Sequence, residues 1–405
     1  MNIFSKEFLY AVKESNVAQV ACSGAGTWFI SKNGDLYGCG YNGYGQQGSG
    51  NTTNVLTFTK QASNIAQVAC SNNTTWYLTK SGDLYGCGWS RYGQQGDGQS
   101  GYSSYVTTFT KRASNVKDIA CSDYTTWYLT TSGDLYGCGQ NNSGQQGSGG
   151  TTDVTTFTKR ASNVKDIACS DYTTWYIDNN NDLYGCGQGS GGEQGNNSTN
   201  SVTSFTKRAS NVAQVICANG TTWYLTKSGD LYGCGGGNYG KQGSGSTSNV
   251  LTFTKRASNV KDIACSASTT WYLTTLGDLY GCGFNYTGQQ GSGGTTDVTT
   301  FTKRASNVKD IACSEYTTWY ITKDGDLYGC GWSSGGQQGS GNTTNVLTFT
   351  KRASNVKDIA CSANTTWYLT TLGDLYGCGG GGSGLQGNGS TDNVLTFENK
   401  MQYLT

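Results

Sequence analysis

GDLYGCGYNGYGQQGSG occupies residues 34–50 and holds seven glycines, three tyrosines and one cysteine. Read alone, a glycine-rich run behind an apolar strand suggests a phosphate loop. Such a loop needs G-x-x-x-x-G-K-[ST] opening a helix. No Lys-Ser or Lys-Thr comes after this run, and the next segment reads as another strand. The glycines therefore read as backbone turns and points of close strand approach. The stretch also recurs. DLYGCG returns with its aspartate at Asp35, Asp83, Asp134, Asp182, Asp230, Asp278, Asp326 and Asp374. Six of the intervals are 48 residues and one is 51, the longer one containing QSGYSSYVT (99–107).

A fixed period of this length marks a repeat architecture. Every unit carries four short segments, in the second unit NIAQVACS (64–71), TTWYLT (74–79), DLYGCG (83–88) and VTTFTK (106–111). They are β-branched or aromatic and are bounded by Gly, Asn or Ser, which is the strand signal. A two-residue Ser81-Gly82 turn would pair Lys80 with Asp83 and set Trp76 opposite Cys87. Four antiparallel strands per unit describe a blade of a β-propeller. An open solenoid needs atypical capping units, whereas the first and last copies here are nearly standard. The expected fold is all-β, one eight-bladed propeller of four-stranded blades over residues 16–398. Residues 1–15 form an N-terminal cap or an extra strand, and residues 399–405 a C-terminal tail. Within the N-terminal stretch FLYAVKESNV (8–17) could supply a fourth strand, but Phe4, Phe8, Leu9 and Val12 also sit at helical spacing. VLTFEN (394–399) keeps the strand pattern better.

Composition agrees with one copied unit. The 405 residues include 61 glycines, no proline and no histidine, with a formal net charge of +1. Roughly twenty prolines would be usual at this length. The missing histidines exclude Ser-His-Asp and Cys-His catalysis and every His-ligated metal site. No acid–base–nucleophile set breaks the repeat symmetry, so the chain reads as a non-enzyme without cofactor or metal. A balanced charge argues against nucleic acid as a partner. No segment reaches the ~18 apolar residues of a membrane span, and no secretory leader is visible. The expectation is a cytoplasmic protein. Two cysteines per unit, always 17 apart, lie on the first and third strands. Strands two steps apart are about 9.5 Å from one another, beyond the ~7 Å reach of a disulfide. Buried free thiols are expected. The aspartates before LYGCG share one side of the ring with the Lys-Arg pairs of KRASN and should form local ion pairs.

A strand ending VACS or IACS, then TTWYLT, then GDLYGCGxNxxGQQGSG resembles the repeat of the regulator of chromosome condensation family. That family's unit contains G-x-N-x-x-G-Q-L-G-x-G. Here it reads GCGYNGYGQQGSG at 38–50 and GCGFNYTGQQGSG at 281–293. The resemblance covers almost the whole chain and implies a propeller. The family's Gly-x-x-His-Thr is replaced by SxxTT, as in Ser122 to Thr126, and seven blades are replaced by eight. The resemblance also implies guanine-nucleotide exchange and chromatin binding, through a basic tail and a wedge-like insertion that have no counterpart here.

The copies differ in two places. One is the dipeptide after ACS, which includes Tyr124, Tyr172 and Tyr316. The other comes after GCG and includes Tyr41, Tyr44, Trp89, Arg91, Tyr92, Tyr239, Phe284, Tyr286 and Trp332. Strand direction puts both on the face opposite the SGD turns. Tyr, Trp and Arg are the residues enriched in binding surfaces, and loops on a rigid scaffold usually carry function. Neutral drift in tolerant loops is the competing reading. The expected role is a scaffold that binds a protein partner through these twelve residues. A glycan-binding propeller, an exchange factor by family analogy, and a recently amplified or designed repeat without a partner are the alternatives.

Overall fold

Each unit folds as its four segments dictate. The computed structural model describes residues 17–403, so the cap or strand expected within residues 1–15 lies outside the described residues. In the first blade β1 (Val17–Cys22), β2 (Gly26–Ser31), β3 (Leu36–Gly40) and β4 (Val55–Ala62) pair in chain order. Seven more four-stranded antiparallel sheets repeat that order, which makes eight blades. Among the described residues the only helical pieces are three short 3₁₀ turns, at Asn238–Gly240, Gly382–Gly384 and Lys400–Tyr403. VLTFEN forms the outer strand of the eighth blade, Val394–Asn399, so among the described residues no blade borrows a strand from the other end of the chain.

The second strand is the core of every blade. All six residues of β2 are buried, as expected for a sheet covered on both faces. Its tryptophan is at most 1% exposed in all eight copies. The third strand makes room for it. A Cβ at Gly38, Gly86 or Gly137 would sit 2.3–2.4 Å from the indole ring of Trp28, Trp76 or Trp127. The first glycine of DLYGCG is thus the floor on which the tryptophan lies.

The hairpin joining these strands differs from its expected form. Thr79 N–H donates to Asp83 O at 3.0 Å, and Gly82 N–H to Thr79 O at 3.0 Å. The loop therefore has three residues, Lys80-Ser81-Gly82, rather than two. Gly82 has φ +84°, the left-handed residue that ends a three-residue hairpin after a type I turn. Thr79 Oγ1 accepts the Asp83 N–H at 2.9 Å and fixes this closure. The register moves by one, so Trp76 lies opposite Gly86, and Cys87 opposite Thr75.

Blades are joined by the same parts that build them. Trp28 meets Phe109 of the second blade edge-on at 5.9 Å, and the contact runs round the ring to Trp367 against Phe58 of the first blade at 5.9 Å. The GQQGSG loop hooks outward as well. Ser49 bridges Thr108 of the next blade, and the last such bridge joins Asn388 to Thr57. Gly48 has φ +70° and its Cβ position lies 2.4 Å from the Phe109 ring, so only glycine fits. Closure between the eighth and first blades is completed by Thr27 Oγ1 donating to Leu385 O at 3.0 Å and Asn364 Nδ2 to Gly24 O at 3.0 Å.

All sixteen cysteines are free thiols. Cys121 and Cys138 both pair with Thr126, one from each side, so a whole strand separates them. On the turn face Lys60 and Asp35 form an ion pair at 2.8 Å, and Lys111–Asp83, Lys159–Asp134, Lys207–Asp182, Lys255–Asp230, Lys303–Asp278 and Lys351–Asp326 repeat it. The arginines behave differently. Arg160, Arg208, Arg256, Arg304 and Arg352 tuck in half-buried and appear in no ion pair among the described residues.

The tryptophan-on-glycine contact makes a direct prediction. Gly137→Ala should destabilise the protein by about 1–3 kcal/mol through overpacking, and Trp127→Ala by about 3–5 kcal/mol through the cavity it leaves. In denaturant melts the double variant should lose clearly less than the sum, because the added methyl enters the vacated space. Strict additivity would show that the two residues do not press on each other.

Candidate recognition face

The loops where the copies differ do come together. Tyr41, of the segment after GCG, and Gly24-Ala25, of the segment after ACS, line one cavity. Tyr92 and Tyr124, again one from each segment, meet edge-on at 5.5 Å. Both variable segments thus sit on one face, while the ion pairs and SGD turns sit on the other.

The twelve aromatic and arginine positions form three groups. The largest is a continuous arc over the first four blades. Tyr41 packs on Tyr44 at 6.1 Å, Tyr44 stacks on Trp89 at 5.0 Å, and Trp89 meets Tyr92 at 6.2 Å. Tyr124 comes after Tyr92, and Tyr172 lies 6.2 Å beyond Tyr124. The second group is Tyr239 on Phe284 at 4.8 Å with Tyr286 beyond it at 6.4 Å. The third is Tyr316 against Trp332 at 5.5 Å. Exposure is uneven. Tyr286 is 73% exposed and Tyr239 46%, whereas Trp89 is only 9% exposed. Trp89 is the arc's internal support rather than its surface.

Arg91 is held in this arc by rings. Its guanidinium lies 3.7 Å from the Tyr102 ring centre, 4.9 Å from Tyr92 and 5.6 Å from Trp89. Tyr102 Oη accepts from Arg91 Nη2, and Tyr102 O accepts from Trp89 Nε1 at 3.4 Å. Tyr102 was not among the expected site residues. It belongs to QSGYSSYVT, the one insertion that breaks the 48-residue period, and that insertion was its signal.

Inside the arc lies the mouth of the central channel, a cavity of about 460 Å³. Its wall carries a hydrogen-bonded chain that spans four blades. Asn72 donates to Asp123 through its backbone N–H at 2.8 Å and its Nδ2 at 2.9 Å. Asp123 N–H donates to Asp171 Oδ1 at 3.2 Å, and Asn219 Nδ2 to Asp171 Oδ2 at 3.0 Å. Burial pushes the Asp171 carboxyl above the usual aspartate range, and the neighbouring Asp123 charge adds to the shift. Burial also raises Tyr124, with Asp171 the next cause. Among the described residues Asp123 and Asp171 are the only charged ones that line this cavity. They stand beside Tyr124 and Tyr172 in the same variable dipeptides.

Deeper in the channel the first strands contribute half-buried thiols such as Cys22, Cys70 and Cys265. Burial pushes the Cys70 thiol up to about 12, so these groups are protonated and poor nucleophiles at neutral pH. Among the described residues no group of three or more Cys, Asp or Glu is arranged around a metal position. No helix among them is long and apolar enough to cross a membrane.

The carboxylates of the two faces should respond to acid in opposite directions. Lys60 and Ser63 hold Asp35 below the usual range, so its contribution to stability is lost as pH falls below about 4. Asp171 is shifted the other way, and folding favours its protonated form. Its ionised form therefore costs stability at neutral pH, and that cost fades as pH falls. Asp171→Asn should raise the melting temperature at pH 7 and leave it nearly unchanged at pH 4. A variant less stable than the parent at pH 7 would contradict this account.

Comparison with known proteins matches this architecture. The profile of the regulator of chromosome condensation (RCC1) repeat matches residues 65–94, 116–145 and 308–337. No curated protein sequence matches the chain. The structure of human WBSCR16 superposes with a TM-score of 0.66 at 18% identity, covering 83% of this chain and 100% of that one. Prp20p of Saccharomyces cerevisiae, a structure described together with its binding to Gsp1p and histones, gives 0.64 at 16% identity over 83% and 91%. Yeast RCC1 (Prp20) with Kap60 bound gives 0.62 at 18% identity over 95% and 85%. At such identities the solved structures speak for the fold and the profile for the repeat: the chain is an eight-bladed β-propeller in which three units match the regulator of chromosome condensation repeat.

Proposed function

We propose that this protein is a rigid platform that binds a protein partner through the face bearing the aromatic arc. The observation that carries the reading is the arc itself. Six rings from four blades pack against one another, so their side-chain freedom is already spent before any partner arrives. Pre-ordered aromatic side chains are the usual anchors of protein interfaces, because little entropy remains to be lost on binding. The yeast relatives above bind Gsp1p, histones and Kap60, which fits a binding role for this fold without fixing the partner. Stacking between Tyr44 and Trp89 favours a protein over a sugar, since the ring faces a sugar would cover are turned toward each other.

The test compares the two faces of the same molecule. Trp332→Ala and Tyr172→Ala remove half-buried rings from the variable face. Leu276→Ser and Leu372→Ser remove leucines that are 80% and 73% exposed in the opposite turns. In cross-linking from the source cell, partner yield should drop at least tenfold with the first pair and stay unchanged with the second. Melting temperatures should move little in all four. Loss of the partner with the leucine variants instead would transfer the interface to the turn face and end this proposal.

A further inference from the structure

A second cavity, of about 380 Å³, opens on the same face where the eighth blade meets the first. Its walls include Gly24, Ala25, Tyr41, Asn364, Gly380 and Leu385. Its origin can be read from the other blades. The position of Gly380 holds Tyr41, Trp89, Phe284 and Trp332 in the first, second, sixth and seventh blades. The third and fourth blades have Gln140 and Gln188 there and the fifth has Gly236, while the eighth has GGGS, whose small residues leave an open space that Tyr41 lines at the end of the arc. Leu385, only 5% exposed, lies in the wall. The joint cavity adjoins the channel mouth, since Gly24 lines both. That mouth is lined by the carboxylates of Asp123 and Asp171 and, among the described residues, by no basic one.

We propose that the joint cavity and the channel mouth together bind a basic segment of the protein partner. An aromatic side chain of that segment fills the open space and packs on Tyr41. A neighbouring lysine or arginine reaches the Asp123–Asp171 pair. This rests on the platform reading above and adds to it the chemistry of what is bound. Three observations select the occupant. The vacancy stands where four of the other seven blades carry one aromatic side chain. Both charged side chains that line the mouth are acidic, and Lys241, whose ammonium is tied to Ala267 O at 2.8 Å behind the wall, is not among the lining residues, so a cationic group is favoured at the aspartates. The two carboxylates are already oriented by Asn72, Asn219 and the Asp123 N–H, and each oxygen of Asp171 accepts one hydrogen bond and retains room for another. A cation there also has Tyr124 and Tyr172 close by, which adds cation–π attraction.

The sister blades supply the test. Gly380→Trp places in the eighth blade the residue that the second and seventh already carry. A Cβ at Gly380 would meet nothing nearer than 3.5 Å, so the variant should fold and plug the cavity. The probes are labelled peptides of sequence Lys-Lys-Trp-Lys-Lys, Lys-Lys-Ala-Lys-Lys and Glu-Glu-Trp-Glu-Glu, titrated by fluorescence anisotropy against the full chain. The first should bind saturably, and the other two at least tenfold more weakly. Gly380→Trp should weaken the first at least tenfold with no fall in melting temperature. Asp171→Asn should weaken it several-fold and flatten its salt dependence. Equal binding of the lysine and glutamate peptides, or unchanged binding by the plugged variant, would overturn the proposal. Failure of all three peptides would overturn it too, while partner loss with Trp332→Ala and Tyr172→Ala would leave the platform standing.

Discussion

A tryptophan lying on a glycine holds this molecule together. In each blade the indole of the second strand covers the first glycine of DLYGCG, at a separation that leaves no space for a methyl group. The same indole turns its edge to a phenylalanine on the outer strand of the next blade, at 5.8–6.0 Å in all eight joints. One side chain thus fixes the strand pair within a blade and the angle between blades. Aromatic pairs of this geometry contribute about 0.5–1.5 kcal/mol each beyond their burial. Eight of them close a ring in which, among the described residues, no strand is exchanged between the ends of the chain. The glycine at Gly48 and its equivalents completes the joint, since the loop can approach the phenylalanine ring only without a Cβ.

That economy explains the composition. Glycine is abundant because two kinds of site demand it: the floor beneath each tryptophan, and the turns that need positive φ. The charge on the turn face is organised in local pairs. Seven of the eight aspartates of DLYGCG meet a lysine of their own blade, and Lys207–Asp182, for example, is 2.6 Å long with the lysine about half exposed. Such exposed pairs contribute little to stability. They neutralise that face instead, and leave the opposite one to be distinguished by its rings and its acidic mouth.

Most of the fold was legible because it is written eight times. The period gave the blades, the residue types gave the strands, and chain direction assigned the variable loops to one face. The illegible parts are instructive. The register of the Thr79–Asp83 hairpin differs by one residue from its sequence reading, because a glycine with positive φ serves two-residue and three-residue loops alike. The deciding contact, Thr79 Oγ1 with the Asp83 N–H, has no signature in the pattern. Trp89 reads from sequence as an exposed anchor, yet it is the buried centre of its arc, since Tyr44 comes from a different blade. Tyr102 escapes notice because its insertion looks like a longer connection. Asp123 and Asp171 lie in a stretch recognisable as variable, but the tyrosines beside them are the more conspicuous residues. Gly380 lies in a stretch recognisable as variable as well, but a glycine offers no side chain to single it out.

These omissions share a cause that bears on function. A ring of identical blades has eight equivalent positions around its axis, and so has no means of holding a single asymmetric partner in one orientation. Only departures from the repeat can do that. The largest departures are an arc of rings on the first four blades, one insertion that clamps Arg91, two adjacent aspartates, and a glycine-rich loop at the closing joint; two smaller ring groups, Tyr239 with Phe284 and Tyr286, and Tyr316 with Trp332, stand on the fifth to seventh blades. All lie on one face, and the glycine-rich loop, the arc and the aspartates adjoin one another across the first four blades and the joint with the eighth. Rings occur on later blades too, but only over the first four do they pack into one unbroken run, from Tyr41 to Tyr172, although nothing in the scaffold couples those two positions. Their contiguity is what a surface shaped by a single bound segment would leave, and it is the physical reason for placing recognition here rather than on the symmetric turn face.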